Sequence, residues 1–358
     1  MYLNYHGSTA IRGFLITLNN SGGLFMKDIK SGRFIERNVA MELVRVTEAA
    51  ALSAARFFGM GDKNLVDHAA VEAMRWVLGS VRMDGVVVIG EGEKDEAPML
   101  YIGERIGGGS DLKVDIAVDP IDGTTLTAKG LPGAISAVAL SARGTMHCPR
   151  ELVYMNKIVT GREAKDAIDI EAPVAENLKN IARAKERKVS EITVVVLDRP
   201  RHEKLLSEIR SAGARVKLIS DGDIAASLQA ALPDTGVDVL MGIGGTPEGV
   251  LSAAAIHCIG GAIQCKGWPR DEKEKKAALA AGLDLDKVYK TGDLIDSDDV
   301  FFAATGVSSS DLLKGVRYTS GGAQTQSLAM RSRSGTIRWI DAWHDFGRLD
   351  KLSSIKLH

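Results

Sequence analysis

Carboxylates placed directly after apolar runs are the first feature of this sequence that could do chemistry. Lys113 to Thr125 reads K-V-D-I-A-V-D-P-I-D-G-T-T. Val114, Ile116, Ala117 and Val118 alternate and then run apolar, which predicts a buried strand. Proline cannot donate to a strand ladder and disfavours a helical residue before it, so the strand is expected to stop at Asp119-Pro120. Asp122-Gly123-Thr124-Thr125 then supplies turn chemistry and a helix start with outward-pointing N–H groups. Two carboxylates three residues apart at a strand end can grip a hard cation, and the N–H groups beyond them can hold a phosphate. Glu91, Glu93 and Asp95 follow a second apolar run, and Asp221 and Asp223 a third. Strand ends in a layered sheet converge on one rim. Carboxylates gathered there repel one another unless a divalent cation joins them. All-oxygen ligands suit Mg²⁺ or Mn²⁺ rather than zinc.

Two further stretches carry chemistry of a different kind. Gly242 to Gly249, G-I-G-G-T-P-E-G, follows a strand and opens a helix. It lacks both the dinucleotide fingerprint and the Lys-Ser/Thr of a P-loop. A phosphate-holding loop and a tight strand-to-helix turn are both open there, and Glu248 in the first helical turn could add a metal ligand. Arg199-Pro200-Arg201-His202 also follows a strand. Its two guanidinium groups suit a second phosphate, though a solvated basic helix start would look the same. The seven histidines are dispersed in no Ser-His-Asp order.

The elements that would position these groups can be read in chain order. Residues 1–35 hold an N-N-S-G-G turn but no strong period, and read as an appended arm. From Glu36 to Phe58 apolar residues recur at helical spacing, and Gly59 and Gly61 end the helix. A second helix over about Leu65 to Leu78 carries Asp67 near its start. Val86–Ile89 and Ala134–Leu140 read as strands. Ile192–Leu197, Val216–Ile219 and Val237–Met241 are apolar strands alternating with helices at about His202–Ser211, Asp223–Leu232 and Glu248–Cys258. That alternation predicts a mainly parallel, layered sheet. Asp271–Ala281 is a charged helix, Phe301–Ala304 a late strand, and Ser327–Ile340 an edge hairpin around Gly335. The expected organisation is an N-terminal extension (1–35), a metal-binding α+β half (36–175) and an α/β substrate-binding half (176–358).

Composition excludes several classes of function. The 45 basic residues meet 46 acidic ones, so no global field draws the chain to nucleic acid or to an anionic membrane. Ile11 to Leu18, the only early apolar patch, is too short to span a bilayer. Three cysteines, Cys148, Cys258 and Cys265, are odd in number and have no C-x-x-C spacing. They argue against a disulfide framework or a structural zinc site, and with no signal peptide they point to the cytoplasm. At 358 residues the chain has length for a sizeable core.

Taken in order, the motifs resemble the class II fructose-1,6-bisphosphatases of the lithium-sensitive phosphatase superfamily. The likeness spans about Arg37 to Arg338. It rests on R-V-T-E-A-A-A at 45–51, G-D-K-N at 61–64 with Asp67, and I-G-E-G-E-K-D-E-A-P-M-L-Y-I-G-E at 89–104. It continues through D-I-A-V-D-P-I-D-G-T at 115–124, Y-M-N-K at 154–157, D-R-P-R-H at 198–202, S-D-G-D at 220–223 and G-I-G-G-T-P-E-G-V at 242–250.

The resemblance implies a layered αβαβα α/β fold with mixed and parallel sheets sandwiched by helices. It also implies hydrolysis of fructose 1,6-bisphosphate to fructose 6-phosphate, a step of gluconeogenesis, with Mg²⁺ or Mn²⁺ as cofactor. By position, the family's metal ligands fall on Asp67, Glu91, Asp119, Asp122 and Glu248. Its substrate contacts fall on Asp122, Gly123, Thr124, Tyr154, Arg199, Pro200, Arg201, Asp221, Gly222, Asp223 and Gly245. Lys63, Asp95 and Thr124 match the groups that support the attacking water. A small-molecule sugar phosphate is the implied partner, with no nucleic acid or membrane and a dimeric or tetrameric homo-oligomer. Asp122 stands where many members have Glu and inositol monophosphatases have Asp, while the Trp and Asn-Phe that flank the motif in those relatives are absent. Sedoheptulose bisphosphate or inositol monophosphate are therefore the alternative substrates, and a metal- and phosphate-sensing module is the non-enzyme alternative.

Overall fold

A computed structural model describes residues 14–18, 24–28, 39–92 and 99–349. Residues 1–37 and 38–358 form separate compact units. In the first, β1 (Phe14–Leu18) and β2 (Leu24–Asp28) pair antiparallel from Phe14↔Asp28 to Leu18↔Leu24. They bracket the N-N-S-G-G stretch, which lies outside the described residues. The arm thus contains a hairpin where the sequence showed only a turn.

The second unit opens with two helices, α1 (Val39–Ala55) and α2 (Lys63–Ser80), each within a few residues of its expected bounds. Asp62 caps α2, accepting from the N–H groups of Asn64 and Leu65 at 2.9 and 3.1 Å, as a short polar side chain does for otherwise unpaired helix donors. Then come β3 (Asp84–Ile89), β4 (Arg105–Ile106), β5 (Lys113–Asp122), α3 (Thr124–Lys129), β6 (Ile135–Ala142) and β7 (Tyr154–Thr160). The chain continues through α4 (Val174–Ala184), β8 (Thr193–Leu197), α5 (Glu203–Ser211), β9 (Arg215–Ile219), α6 (Asp223–Ala231), β10 (Val239–Gly245) and α7 (Thr246–Ile259). It closes with β11 (Ala262–Gly267), α8 (Glu272–Ala280), β12 (Val288–Lys290), α9 (Thr291–Leu294), β13 (Phe301–Gly306), β14 (Arg317–Thr319), β15 (Gly322–Arg331), β16 (Thr336–Asp345) and α10 (Phe346–Leu349).

Two sheets result. The first runs β14-β15-β13-β6-β5-β3-β4, with β16 on the other side of β15; the second runs β12-β11-β7-β10-β8-β9. The β15–β16 pair is the expected hairpin, turning through Gly335 with φ +58°.

Burial sorts the helices into layers. α7 is buried nearly all round, because its alanines let a sheet approach from either side. With α6 it shares one core with Phe302 and Leu328 of the first sheet and Met155, Val159 and Ile263 of the second. Leu178 and Ile181 of α4 and Leu206 and Ile209 of α5 cover the outer face of the second sheet, against Val194 and Val196. α1 covers the outer face of the first, where Thr47 and Thr305 hydroxyls meet at 2.7 Å. The order α, β, α, β, α is the layered architecture expected.

Three expectations need correction. β5 does not stop at Asp119 but continues to Asp122, pairing Asp122 with Ile135 across an irregularity between Asp119 and Asp122. Pro120 is tolerated because the ladder is interrupted there and β3 pairs no further than Ala117. The second sheet is mixed: β8 is parallel to β9 and β10, but β7 is antiparallel to β10 and β11. β7 enters directly from the first sheet's side of the chain, without the helical crossover that a parallel neighbour needs. For the same reason a cut near residue 175 does not separate the sheets. β7 precedes it yet lies in the second sheet, and β13 to β16 follow it yet extend the first.

Candidate active site

The acidic strand ends meet. Asp67, Glu91, Asp119, Asp122, Asp221 and Glu248 line one cavity of about 330 Å³, with Gly123 and Thr124 on its wall. A second cavity of about 180 Å³ shares Asp122, Asp221 and Glu248 with the first and adds Tyr154, Arg199, Arg201, Asp223 and Gly245.

Each carboxylate is set by a local backbone device. Asp67 sits one turn into α2, on the same face as Lys63. Glu91 follows β3, and its N–H bonds the Leu100 carbonyl at 3.0 Å. A Cβ on Gly90 would lie 1.9 Å from that carbonyl oxygen, so only glycine permits the close approach. Asp119 and Asp122 flank the irregularity that Pro120 creates in β5, which turns both toward the cavity. Asp122 also accepts the Ala225 N–H at 2.8 Å, capping the first turn of α6 from another part of the chain. Gly123 takes φ +96° to begin α3, and the Thr124 hydroxyl donates to the Ile121 carbonyl at 3.2 Å.

Glycines of the G-I-G-G-T-P-E-G run make room for neighbouring side chains. The run is the end of β10 (to Gly245) passing directly into the first turn of α7 (from Thr246). A Cβ on Gly242 would lie 2.9 Å from His202 Nε2, one on Gly244 would lie 2.0 Å from Asp223 Oδ2, and one on Gly245 would lie 1.9 Å from Glu248 Oε2. Bare backbone there lets three polar side chains stack against the strand.

The arginine loop is anchored by His202, which is buried. Ile243 N–H donates to its Nε2 at 2.7 Å, so Nδ1 carries the proton toward the Leu197 carbonyl, also at 2.7 Å. Burial lowers its pKa and holds the ring neutral. Arg201 bonds the Ile243 carbonyl at 2.9 Å and lies 4.8 Å over the Tyr154 ring.

Electrostatics single out the carboxylate cavity. Burial, and then the charge of Asp67, push Glu91 up to about 7. Burial raises Asp119 well above the carboxylate range, reinforced by Asp122, Glu248, Glu91 and Asp221. Asp122 is raised by burial against the opposing Ala225 N–H, and Asp67 and Glu248 are raised by burial as well. These acids cannot all ionise without a cation among them. Oxygen-only donors of this charge fit a hard divalent cation. Among the described residues no three such side chains are yet drawn around a single point, so the donors line a cavity rather than close a cage.

Other expected residues fall at differing distances from this centre. Gly222 caps α6 with φ +92°, next to Asp221 and Asp223. Pro200 is exposed in the turn before α5, and Lys63 is exposed at the first position of α2; neither lines the two cavities. Asp95, with Glu93, lies outside the described residues. Lys157 and His202 belong to quoted motifs, yet their types gave no sign of burial behind the site. A lysine inside the apolar run M-N-K-I-V was the available signal.

Comparison with known proteins identifies the family. A family model described as "Bacterial fructose-1,6-bisphosphatase, glpX-encoded" matches residues 37–344. "Fructose-1,6-bisphosphatase 1 class 2" of Escherichia coli (strain K12) is 44% identical over 330 residues, covering 88% of this chain and 98% of that protein. "Fructose-1,6-bisphosphatase class 2" of Shigella flexneri matches with the same figures. Among solved structures, an inositol monophosphatase from Zymomonas mobilis is 14% identical, covers 70% of this chain and all of its own, and has a TM-score of 0.39, too low to carry an argument. The family match takes in every described residue of the two cavities, and the chain belongs to the bacterial class II, glpX-encoded fructose-1,6-bisphosphatase family.

Proposed function

We propose that the protein is a metal-dependent phosphatase converting fructose 1,6-bisphosphate to fructose 6-phosphate and phosphate. The carrying observation is the pair of cavities joined through Asp122, Asp221 and Glu248, one lined by carboxylates and the other holding two guanidinium groups. A substrate with a phosphate at each end of a sugar matches that arrangement, and the relatives bear the name of that activity.

Asp67, Glu91, Asp119, Asp122 and Glu248 are the residues that would hold Mg²⁺ or Mn²⁺. A divalent cation bound there supplies Lewis-acid stabilisation of phosphoryl charge and a lowered pKa for water. The chain's own part is positional. N–H groups at Gly123 and Thr124 bind the phosphoryl oxygens as charge develops. Asp221, Asp223, Tyr154 and the Gly245 backbone hold the sugar, and Arg199 and Arg201, with the Pro200 turn between them, clamp the remote phosphate. Lys63 and Asp95 are assigned to the attacking water by their place in the family motifs. Among the described residues no helix is long and apolar enough to cross a membrane. A cytoplasmic homo-oligomer, dimer or tetramer, completes the proposal on the strength of the family likeness.

Phosphate release from fructose 1,6-bisphosphate, sedoheptulose 1,7-bisphosphate and inositol 1-phosphate tests the reading, each with Mn²⁺, Mg²⁺ or chelator. Fructose 1,6-bisphosphate should lead in kcat/KM by about tenfold or more, about 1.4 kcal/mol in the barrier, and chelator should abolish release. A faster inositol phosphate, or no release from any of them with metal, would contradict it.

A further inference from the structure

We propose that Lys157 is a positioning residue that fixes the sugar-facing carboxylate Asp223 against the end of β10. The inference rests on the function proposed above. Lys157 lies in the middle of the second sheet, opposite Gly242 of β10 and Cys265 of β11. Its side chain is fully buried, and its ammonium bonds Asp223 Oδ2 and, at 3.1 Å, the Gly245 carbonyl. Lys157 itself lines neither cavity, whereas Asp223, Gly245 and Glu248 line the one with the arginines.

The surrounding sequence is shaped to admit this lysine. A Cβ on Gly244 would lie 2.7 Å from Lys157 Nζ, and one on Gly249 would lie 3.4 Å from Lys157 Cδ. Two glycines of one short run therefore clear the path of a single side chain. A buried ion pair is poor value for stability alone, because well-packed apolar residues serve as well or better. What the pair does provide is direction. One oxygen of Asp223 is held from behind, which leaves the other to meet a sugar hydroxyl. The Gly245 carbonyl, bonded by the same ammonium at 3.1 Å, anchors the lysine to the end of β10.

The test is a double-mutant cycle, read on two substrates with Mn²⁺ present throughout. Lys157→Met should raise KM for fructose 1,6-bisphosphate by about tenfold or more while kcat falls by less. Turnover of p-nitrophenyl phosphate, which has no sugar for Asp223 to meet, should change by under about threefold. In an Asp223→Asn background the lysine has no carboxylate to aim, so Lys157→Met should then change KM by under about threefold. Lys157→Gln, which keeps a donor toward Asp223, should recover part of the KM and carries the cycle should the Met variant fold poorly. Additive losses in the double variant, or equal damage to both substrates, would overturn the inference and make Lys157 a purely structural neutraliser. A parent with no turnover on fructose 1,6-bisphosphate would instead overturn the proposed function, and this inference with it.

Discussion

Asp119→Asn should lower kcat by at least about 100-fold, roughly 2.7 kcal/mol in the barrier, while the protein still folds. Asparagine keeps the size but removes one charge from a cavity of five other carboxylates, the lining acids Asp67, Glu91, Asp122, Asp221 and Glu248. A charged ligand lost from a divalent site weakens metal binding and misplaces whatever water the metal orients. Stability should move the other way when metal is absent. Glu91 is raised by burial to about 7 from its ordinary 4.5, and Asp119 is raised by burial and by four neighbouring carboxylates. A carboxyl with a raised folded pKa binds more protons in the native state. It therefore favours folding at acid pH and loses that contribution as pH rises through its folded value. Metal-free parent protein should accordingly melt at a lower temperature at about pH 8 than at about pH 5. Asp119→Asn should flatten that fall and melt at or above the parent at the higher pH. Normal turnover by the variant, measured with saturating Mn²⁺, would reduce Asp119 to a turn residue.

Arg201→Ala should raise KM for fructose 1,6-bisphosphate by about 30-fold, roughly 2 kcal/mol, as expected for losing charge-assisted bonds to a phosphate. The guanidinium is already oriented, because the Ile243 carbonyl and the Tyr154 ring hold one side of it. It is thus a preformed clamp, and substrate binding need not order it. Arg201→Lys should recover part of the affinity, since it keeps the charge but not the planar fork. A simple monophosphate that reaches only the carboxylate cavity should lose little. Steady-state kinetics on both substrates separate the cases, and equal loss on both would mean that the arginine acts on the reacting phosphate.

Much of this site was readable as chemistry before it was readable as geometry. Asp119, Asp122 and Glu91 follow apolar runs, and strand ends in a layered fold do gather on one rim. The glycines of residues 242–249 were harder to place. Gly242 and Gly244 answer to His202 and Asp223, side chains distant in the chain that no local pattern announces, whereas Gly245 answers to Glu248 three residues on. β7 and β11 carry no clear apolar period, because Lys157 and Lys266 interrupt their runs, and their antiparallel pairing depends on partners distant in the chain. Pro120 reads as a stop because its missing N–H is a local fact, whereas the bulge that accommodates it depends on where β3 ends. The hairpin of the N-terminal arm has only five-residue strands, too short for a period to stand out.

The central claim is that these carboxylates form a divalent-metal site beside a phosphate position. Anomalous scattering from crystals grown with Mn²⁺ and inorganic phosphate tests it most directly. Manganese peaks should lie in the cavity between Asp119, Asp122, Glu248, Asp67 and Glu91, with phosphate density against the Gly123–Thr124 backbone. Manganese bound elsewhere, or a cavity left without a peak at a concentration that supports turnover, would contradict the account.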